Sequence, residues 1–139
     1  MTVQHEQKIA GDQDDFLSTP FATWLAIEPT DERDMFRMRF NERHIGNPFI
    51  RALHGGVVGS MIEASAELGL GNLVQVEGPT ELVSSAIDYI RVTKDADLFA
   101  RVSIVRIGRR LAFVEVRCWQ DSEDLPVARG SCTLRILEA

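Results

Sequence analysis

Between Ala52 and Ile90 the sequence contains no lysine and no arginine, yet the helix-like run at its start, Leu53 to Gly71, carries two glutamates, Glu63 and Glu67, four residues apart. Basic residues are scarce overall: 15 Lys and Arg stand against 21 Asp and Glu, for a formal net charge of −6. That balance argues against nucleic acid as a partner, because a binding face for phosphates needs a basic surplus. The two cysteines, Cys118 and Cys132, are too few for a disulfide framework and read as small core residues of two strands in a reducing cytosol. No apolar run approaches the ~18 residues of a membrane span. The opening "MTVQHEQKIAGDQDDF" lacks a basic-then-apolar leader. A cytoplasmic protein without a membrane span is therefore expected. There is no G-x-S-x-G elbow and no P-loop, and His44, His54 and Glu63 do not have the spacing of metal ligands.

With 139 residues the chain fits one domain. Residues 1–14 are expected to form a flexible or loosely helical polar segment, and residues 15–139 a single domain. "DDFLSTPFATWLAIEP" has roughly helical apolar spacing, reset by Pro20. "MFRMRF" alternates as a strand, whereas "NERHIGNPFIRALHGG" reads as a loop. His44 and His5 read as surface residues. Residues 56–71 have helical periodicity. Four strand candidates follow, at 82–92, 97–107, 110–120 and 126–137, and their alternation suits an antiparallel sheet with one wet face. One helix covered by one large curved sheet gives an α+β class.

On a helical wheel Gly56, Gly59, Ser60, Glu67 and Leu70 share the side of Glu63. Val57, Val58, Met61, Ser65 and Leu68 oppose it, with Ile62 at the edge. A wet helix face ordinarily pairs acids with bases four apart. A face of Gly, Ser and unpaired Glu is either simply solvated or a place where a partner or ligand comes close. Partial burial of two acids one turn apart raises the pKa of at least one of them, which makes a candidate general base or nucleophile. Gly55 and Gly56 open the helix, where backbone N–H groups lack internal acceptors and the dipole is positive. They are either a tight turn or an oxyanion site for a thioester or ester carbonyl.

"NPFIRALHGGVVGSMIEASAELG" resembles the signature of hotdog-fold acyl-CoA thioesterases of the PaaI-like group. "SAIDYIRV", "VSIVRIGRRLAFVEVRCWQ" and "LPVARGSCTLRI" resemble that family's later strands in the same order. The resemblance covers about residues 20–137. It implies a hotdog fold, one long central helix wrapped by a curved antiparallel sheet, in a homodimer whose sheets join edge to edge and in a tetramer built from it. It further implies hydrolysis of an acyl- or aryl-CoA thioester, with CoA part of the substrate and no separate cofactor or metal. Carried over by position, Glu63 becomes the general base or nucleophile, and the amides of Gly55 and Gly56 the oxyanion site. His54 fixes the loop or the thioester, and Asn47 bonds to the acyl or water region. Glu67, Tyr89, Arg91, Arg106, Arg109 and Arg110 become substrate-binding candidates: Arg106, Arg109 and Arg110 cluster at a hairpin turn and Arg91 ends the preceding strand, either to hold CoA phosphates or as solvated residues, with alternation putting Arg109 and Arg110 on opposite faces. The segment "FATWLAIEP" with Met61, Ile62 and Leu68 supplies candidate acyl-pocket walls. Glu67 departs from the Thr or Ser of some members, and Pro48 from the Asn or Gln of many. These departures leave open a non-catalytic acyl-CoA-binding module on the same fold; a hydratase-like enzyme is a further alternative.

Overall fold

A computed structural model describes residues 13–76 and 78–137. Of the polar N-terminal segment only residues 13 and 14 are described, and they open a helical turn, α1 (13–17). His5 lies outside the described residues. Pro20 ends that turn and starts α2 (Pro20–Leu25), because proline fits the first helical position, where its missing N–H is not needed. Thr19 caps α2 by accepting from the Ala22 amide. The remaining elements in order are β1 (Ile27–Pro29), β2 (Met35–Met38), a 3₁₀ turn (Glu42–His44), β3 (Ile45–Asn47) and β4 (Ala52–Leu53). After them come α3 (Gly55–Leu73), β5 (Thr80–Tyr89), β6 (Leu98–Ile107), β7 (Leu111–Trp119) and β8 (Ala128–Ile136).

Six strands form one antiparallel sheet in the order β1-β2-β6-β7-β8-β5, and α3 packs across it. This is the hotdog arrangement expected from the resemblance. The strand faces toward α3 alternate as the sequence requires, with Ala112, Val114, Val116 and Cys118 of β7 all buried. Phe36, Met38, Leu98 and Leu134 join Met61, Ile62 and Leu70 of α3 in the core. Burying each of these large side chains is worth about 1.5–3 kcal/mol. Both cysteines are buried in β7 and β8, and burial pushes the Cys118 thiol up to about 12 and the Cys132 thiol up to about 11.

The helix is buried more completely than its wheel implied. Leu70 and Gly59, on the side of Glu63, are as buried as the opposite face. Apart from its two ends, at Gly55 and at Asn72 and Leu73, a narrow strip remains partly accessible, running through Gly56, Ser60, Glu63, Glu67 and Gly71. Gly69 lets the helix meet β6 at backbone distance: a Cβ there would stand 2.6 Å from Val102 Cγ1. Met61 and Ile62, expected to line a pocket, are core residues with no exposure.

The stretch from 41 to 54 is more ordered than a loop. β3 pairs with β4, and His44 is buried at 0 % exposure, not on the surface as its polarity suggested. Its Nδ1 accepts from the Asn41 amide at 3.2 Å, so Nε2 carries the proton donated to the Trp24 carbonyl at 3.1 Å. The His54 amide donates to the His44 carbonyl, and the Leu53 amide to the Thr93 hydroxyl. Arg51, with a left-handed φ of 51°, is held by Asp95 and Glu42. Gly46 passes His54 so closely that a Cβ would lie 2.6 Å from its Cα. These contacts together set the starting point of α3.

Burial lowers the His44 pKa. A histidine kept neutral by folding contributes stability that is complete above its unfolded value of about 6.5 and is lost as pH falls through the lowered folded value. Replacing His44 with Gln should therefore flatten the decline in urea-unfolding midpoint between about pH 7 and pH 5. An unchanged acid slope would show that His44 does not carry it.

Candidate active site

The N-terminus of α3 is closed by His54, whose backbone is extended and whose Nδ1 accepts from the Gly56 amide at 2.8 Å. The Val57 and Val58 amides both donate to the His54 carbonyl. Gly56 N–H is thus committed to the cap, and among the described residues the Gly55 N–H has no acceptor. This narrows the two-glycine expectation to one free donor. Tyr89, reaching across from the end of β5, donates its hydroxyl to the Gly55 carbonyl at 2.8 Å and holds that peptide in place. An added Cβ at Gly55 would meet only the Tyr89 ring, at 3.6 Å or more.

Beside Gly55 lies an open groove of about 430 Å³ lined by Asn47, Ile50, Tyr89, Arg91 and Val92, among others. The Asn47 side chain caps its own turn, accepting from the Phe49 amide at 3.0 Å, and stands at the rim. Arg91 donates to the Pro126 carbonyl at 2.6 Å. The four candidate phosphate-binding arginines do not form one cluster within the chain. Register pairs Tyr89 with Ala128 and Ala128 with Cys118, so Arg91 follows the end of β5 at that side of the sheet. Arg106, Arg109 and Arg110 sit at the β6–β7 turn, at the opposite end beside Thr80 and Ile136, where the Ile136 amide donates to the Arg110 carbonyl. Antiparallel strands return the chain to the far end of the sheet, which sequence proximity conceals.

Glu63 is partly buried. Its partner is not a cation but a hydroxyl: Ser85 Oγ of β5 donates to Glu63 Oε2 at 2.6 Å. Ser85 is not among the residues that the motifs point to. Strand alternation carried the signal, since Ser85 lies on the same face as Ile87 and Tyr89, the face turned to α3. The bond leaves Glu63 Oε1 free to accept a proton. Glu67, one turn on, has no hydrogen-bond donor among the described residues. Burial raises its pKa, and the Glu63 charge raises it further. Glu67 lines a second cavity of about 360 Å³ at the far end of α3. Leu68 also lines it, but Phe21 and Trp24 of "FATWLAIEP" do not; Phe16 and Thr19 from just before that segment take the place expected of them. Among the described residues no group of three or more His, Cys, Asp or Glu is placed to hold a metal.

A family model described as the acyl-CoA thioesterase N-terminal domain matches residues 46–135, from β3 through most of β8. The chain belongs to this family. The family span contains Asn47, His54, Gly55, Glu63, Glu67, Ser85 and Tyr89. A Mycobacterium tuberculosis protein described as a candidate esterase is 26% identical, with a TM-score of 0.76 over 87% of this chain and 98% of that one. A phenylacetic acid degradation-related protein of Ralstonia eutropha, described as a candidate thioesterase, superposes with a TM-score of 0.74 at 17% identity, covering 92% and 98% of the two chains. A Bacillus halodurans protein solved with CoA superposes at 0.75 with 21% identity, covering 96% of this chain and 91% of that one. No curated protein matches the chain. The PaaI-like hotdog resemblance read from the motifs is borne out. No helix among the described residues is long and apolar enough to cross a membrane.

A carboxyl whose folded pKa is raised contributes stability that is complete below its unfolded value, about 4.3, and is lost as pH rises through the folded value. Glu67→Gln should accordingly raise the urea-unfolding midpoint at pH 7, and the gain should vanish below about pH 4. A gain that persists in acid would assign the effect to packing, not to the buried charge.

Proposed function

We propose that this chain hydrolyses acyl-CoA thioesters at a site assembled from two copies, with Glu63 of one copy and Gly55 of the other acting on the same carbonyl. One observation carries the two-copy reading. Gly55 and Glu63 stand eight residues apart on one helix, about 12 Å along its axis. An oxyanion donor and the base that directs water must both lie about 3 Å from the reacting atoms. The helix start of a second copy supplies such a donor to Glu63 more directly than its own helix does, as the hotdog resemblance implies.

The sheet edge offers the way to bring them together. β5 is a ten-residue edge strand whose outer side is unpaired among the described residues; the opposite edge, β1, has three residues and ends in Pro29. Long unpaired edges are templates for pairing. Antiparallel pairing of β5 with the β5 of a second copy about a two-fold axis sets the α3 helices antiparallel. Gly55 of each copy then faces Glu63 of the other. The same rotation carries the Arg106, Arg109 and Arg110 turn of one copy toward the Arg91 groove of the other. A phosphate-binding cluster that is divided within one chain is thereby reassembled between two.

In this site the thioester carbonyl oxygen accepts from the Gly55 N–H, at the positive end of α3. Glu63 takes a proton from water as the water oxygen bonds to the carbonyl carbon. The negative charge that develops on the former carbonyl oxygen is held by Gly55. Ser85 fixes the Glu63 carboxylate, so its free oxygen points at the water. When the C–S bond breaks, the proton on Glu63 passes to the departing CoA sulfur, and the free acid leaves. Asn47, His54 and Tyr89 act on the frame: His54 and Tyr89 hold the Gly55 peptide, and Asn47 borders the groove that takes the pantetheine arm. CoA enters as part of the substrate.

Thiol release from a panel of short, medium, long and aromatic CoA thioesters tests the activity. Both native cysteines are buried and add little background to thiol-trapping reagents. Glu63→Ala and Glu63→Gln should each lower kcat by about 10²–10⁴-fold while leaving the protein folded. Ser85→Ala should lower kcat by a smaller factor. Normal turnover in both Glu63 variants overturns the mechanism. Thermal stabilisation by CoA esters with no thiol released from any of them would instead make the chain a binding module.

The shared site has its own test. Gly55→Pro removes the one free amide yet suits the first helical position, since His54 has the extended backbone that precedes proline. Gly55→Pro and Glu63→Ala should each be nearly inactive alone. Unfolded and refolded together, they should recover about a quarter of wild-type activity, because half of the random dimers carry one intact site of two. No recovery would show that each chain works on its own residues.

A further inference from the structure

We infer that the cavity at the far end of α3 receives the distal part of the acyl group, and that Glu67 there selects acyl groups bearing a hydroxyl. The inference rests on the reading of Glu63 as the residue at the thioester carbonyl. With the carbonyl at Glu63, the acyl tail has two directions along the accessible strip of α3. One returns past Ser60 to the helix start. The other passes Glu67, about 6 Å farther on at four residues of helical rise, and reaches the 360 Å³ cavity. Phe16, Leu68, Val74 and Val76 give this cavity apolar walls, polar side chains that include Asp15, Thr19 and Gln75 also line it, and α1 borders one side of it.

The apolar part of that lining by itself would suit a plain alkyl chain. Glu67 changes that. It is partly buried, no described residue donates a hydrogen bond to it, and its nearest charged neighbour on the helix is a second acid. Leaving such a carboxylate desolvated costs free energy, which a donor supplied by the bound molecule offsets. An alkyl tail would displace water from Glu67 and return nothing. A hydroxyl on the tail, roughly one helical turn beyond the carbonyl, replaces that water with a charge-assisted hydrogen bond. The residue that departs from the family's small hydroxylic side chain thus acquires a selective role of its own.

Two matched substrate pairs test this: hexanoyl-CoA with 6-hydroxyhexanoyl-CoA, and octanoyl-CoA with 8-hydroxyoctanoyl-CoA. The wild-type protein should favour the hydroxylated member of at least one pair in kcat/KM by about tenfold, the size expected for a hydrogen bond to a charged acceptor. Glu67→Leu should bring that ratio to one or below, while Glu67→Gln, which keeps an acceptor oxygen, should retain part of it. Equal wild-type rates within both pairs, or a ratio unchanged in Glu67→Leu, overturns the role of Glu67.

Gly71 tests the cavity separately. It lines the cavity, and a Cβ added there meets no atom within 4 Å, so Gly71→Leu can enter the space without disturbing the helix. That variant should lower kcat/KM for octanoyl-CoA by about tenfold while sparing butanoyl-CoA. Equal effects on both would place the tail elsewhere. If no thioester is cleaved at all, the hydrolase reading fails on its own. The same pairs are then compared by the rise in melting temperature they cause. A larger rise with the hydroxylated member that Glu67→Leu abolishes still supports the subsite, and equal rises overturn it.

Discussion

The structure depends on one constraint: a 19-residue helix is enclosed by its own sheet on almost every side. An ordinary surface helix buries a stripe and leaves the rest wet. Here the core extends around the helix, and the close approach of Gly69 to Val102 keys α3 to β6. What remains accessible is a strip one residue wide. Chemistry on this helix is therefore confined to Gly55 at its start and to Ser60, Glu63 and Glu67 along that strip. The absence of Lys and Arg from α3 itself accords with the same enclosure, since a long cationic side chain on most of its faces would have no water to reach.

Enclosure also decides how the acids are accommodated. Glu63 is compensated by the Ser85 hydroxyl, a small partner that fits beneath the edge strand. Glu67 has no such partner and takes the desolvation cost as a raised pKa. Two carboxylates one turn apart thus stand in different surroundings, one bonded to a hydroxyl and the other with no donor among the described residues.

Much of this was legible in the residues, for definite reasons. The alternation of β7 and the long apolar period of α3 are local patterns, and each maps directly onto burial. The family motif tied them into the correct fold. What escaped depended on contacts between distant positions. His44 looked polar and exposed, but its burial relies on the Trp24 carbonyl, twenty residues away. Ser85 gained its significance only when β5 was laid against α3. How far Arg91 stands from the Arg106, Arg109 and Arg110 turn also waited on the topology, since a ten-residue strand separates its two ends by about 30 Å. The commitment of Gly56 to the His54 ring, leaving Gly55 as the free donor, is a matter of side-chain torsion that no spacing rule contains.

The unpaired edge of β5 has a consequence beyond catalysis. An exposed strand of ten residues is an aggregation hazard, and proteins usually blunt such edges with lysine, proline or a bulge. This one keeps only an irregular register near Val83. If the edge is covered by a second copy that also completes the active site, the contact that makes the enzyme work is the contact that keeps it soluble. A mutation that loosened it would then be penalised twice in the cell, through lost turnover and through clumping. Selection on activity alone would be enough to keep the edge protected.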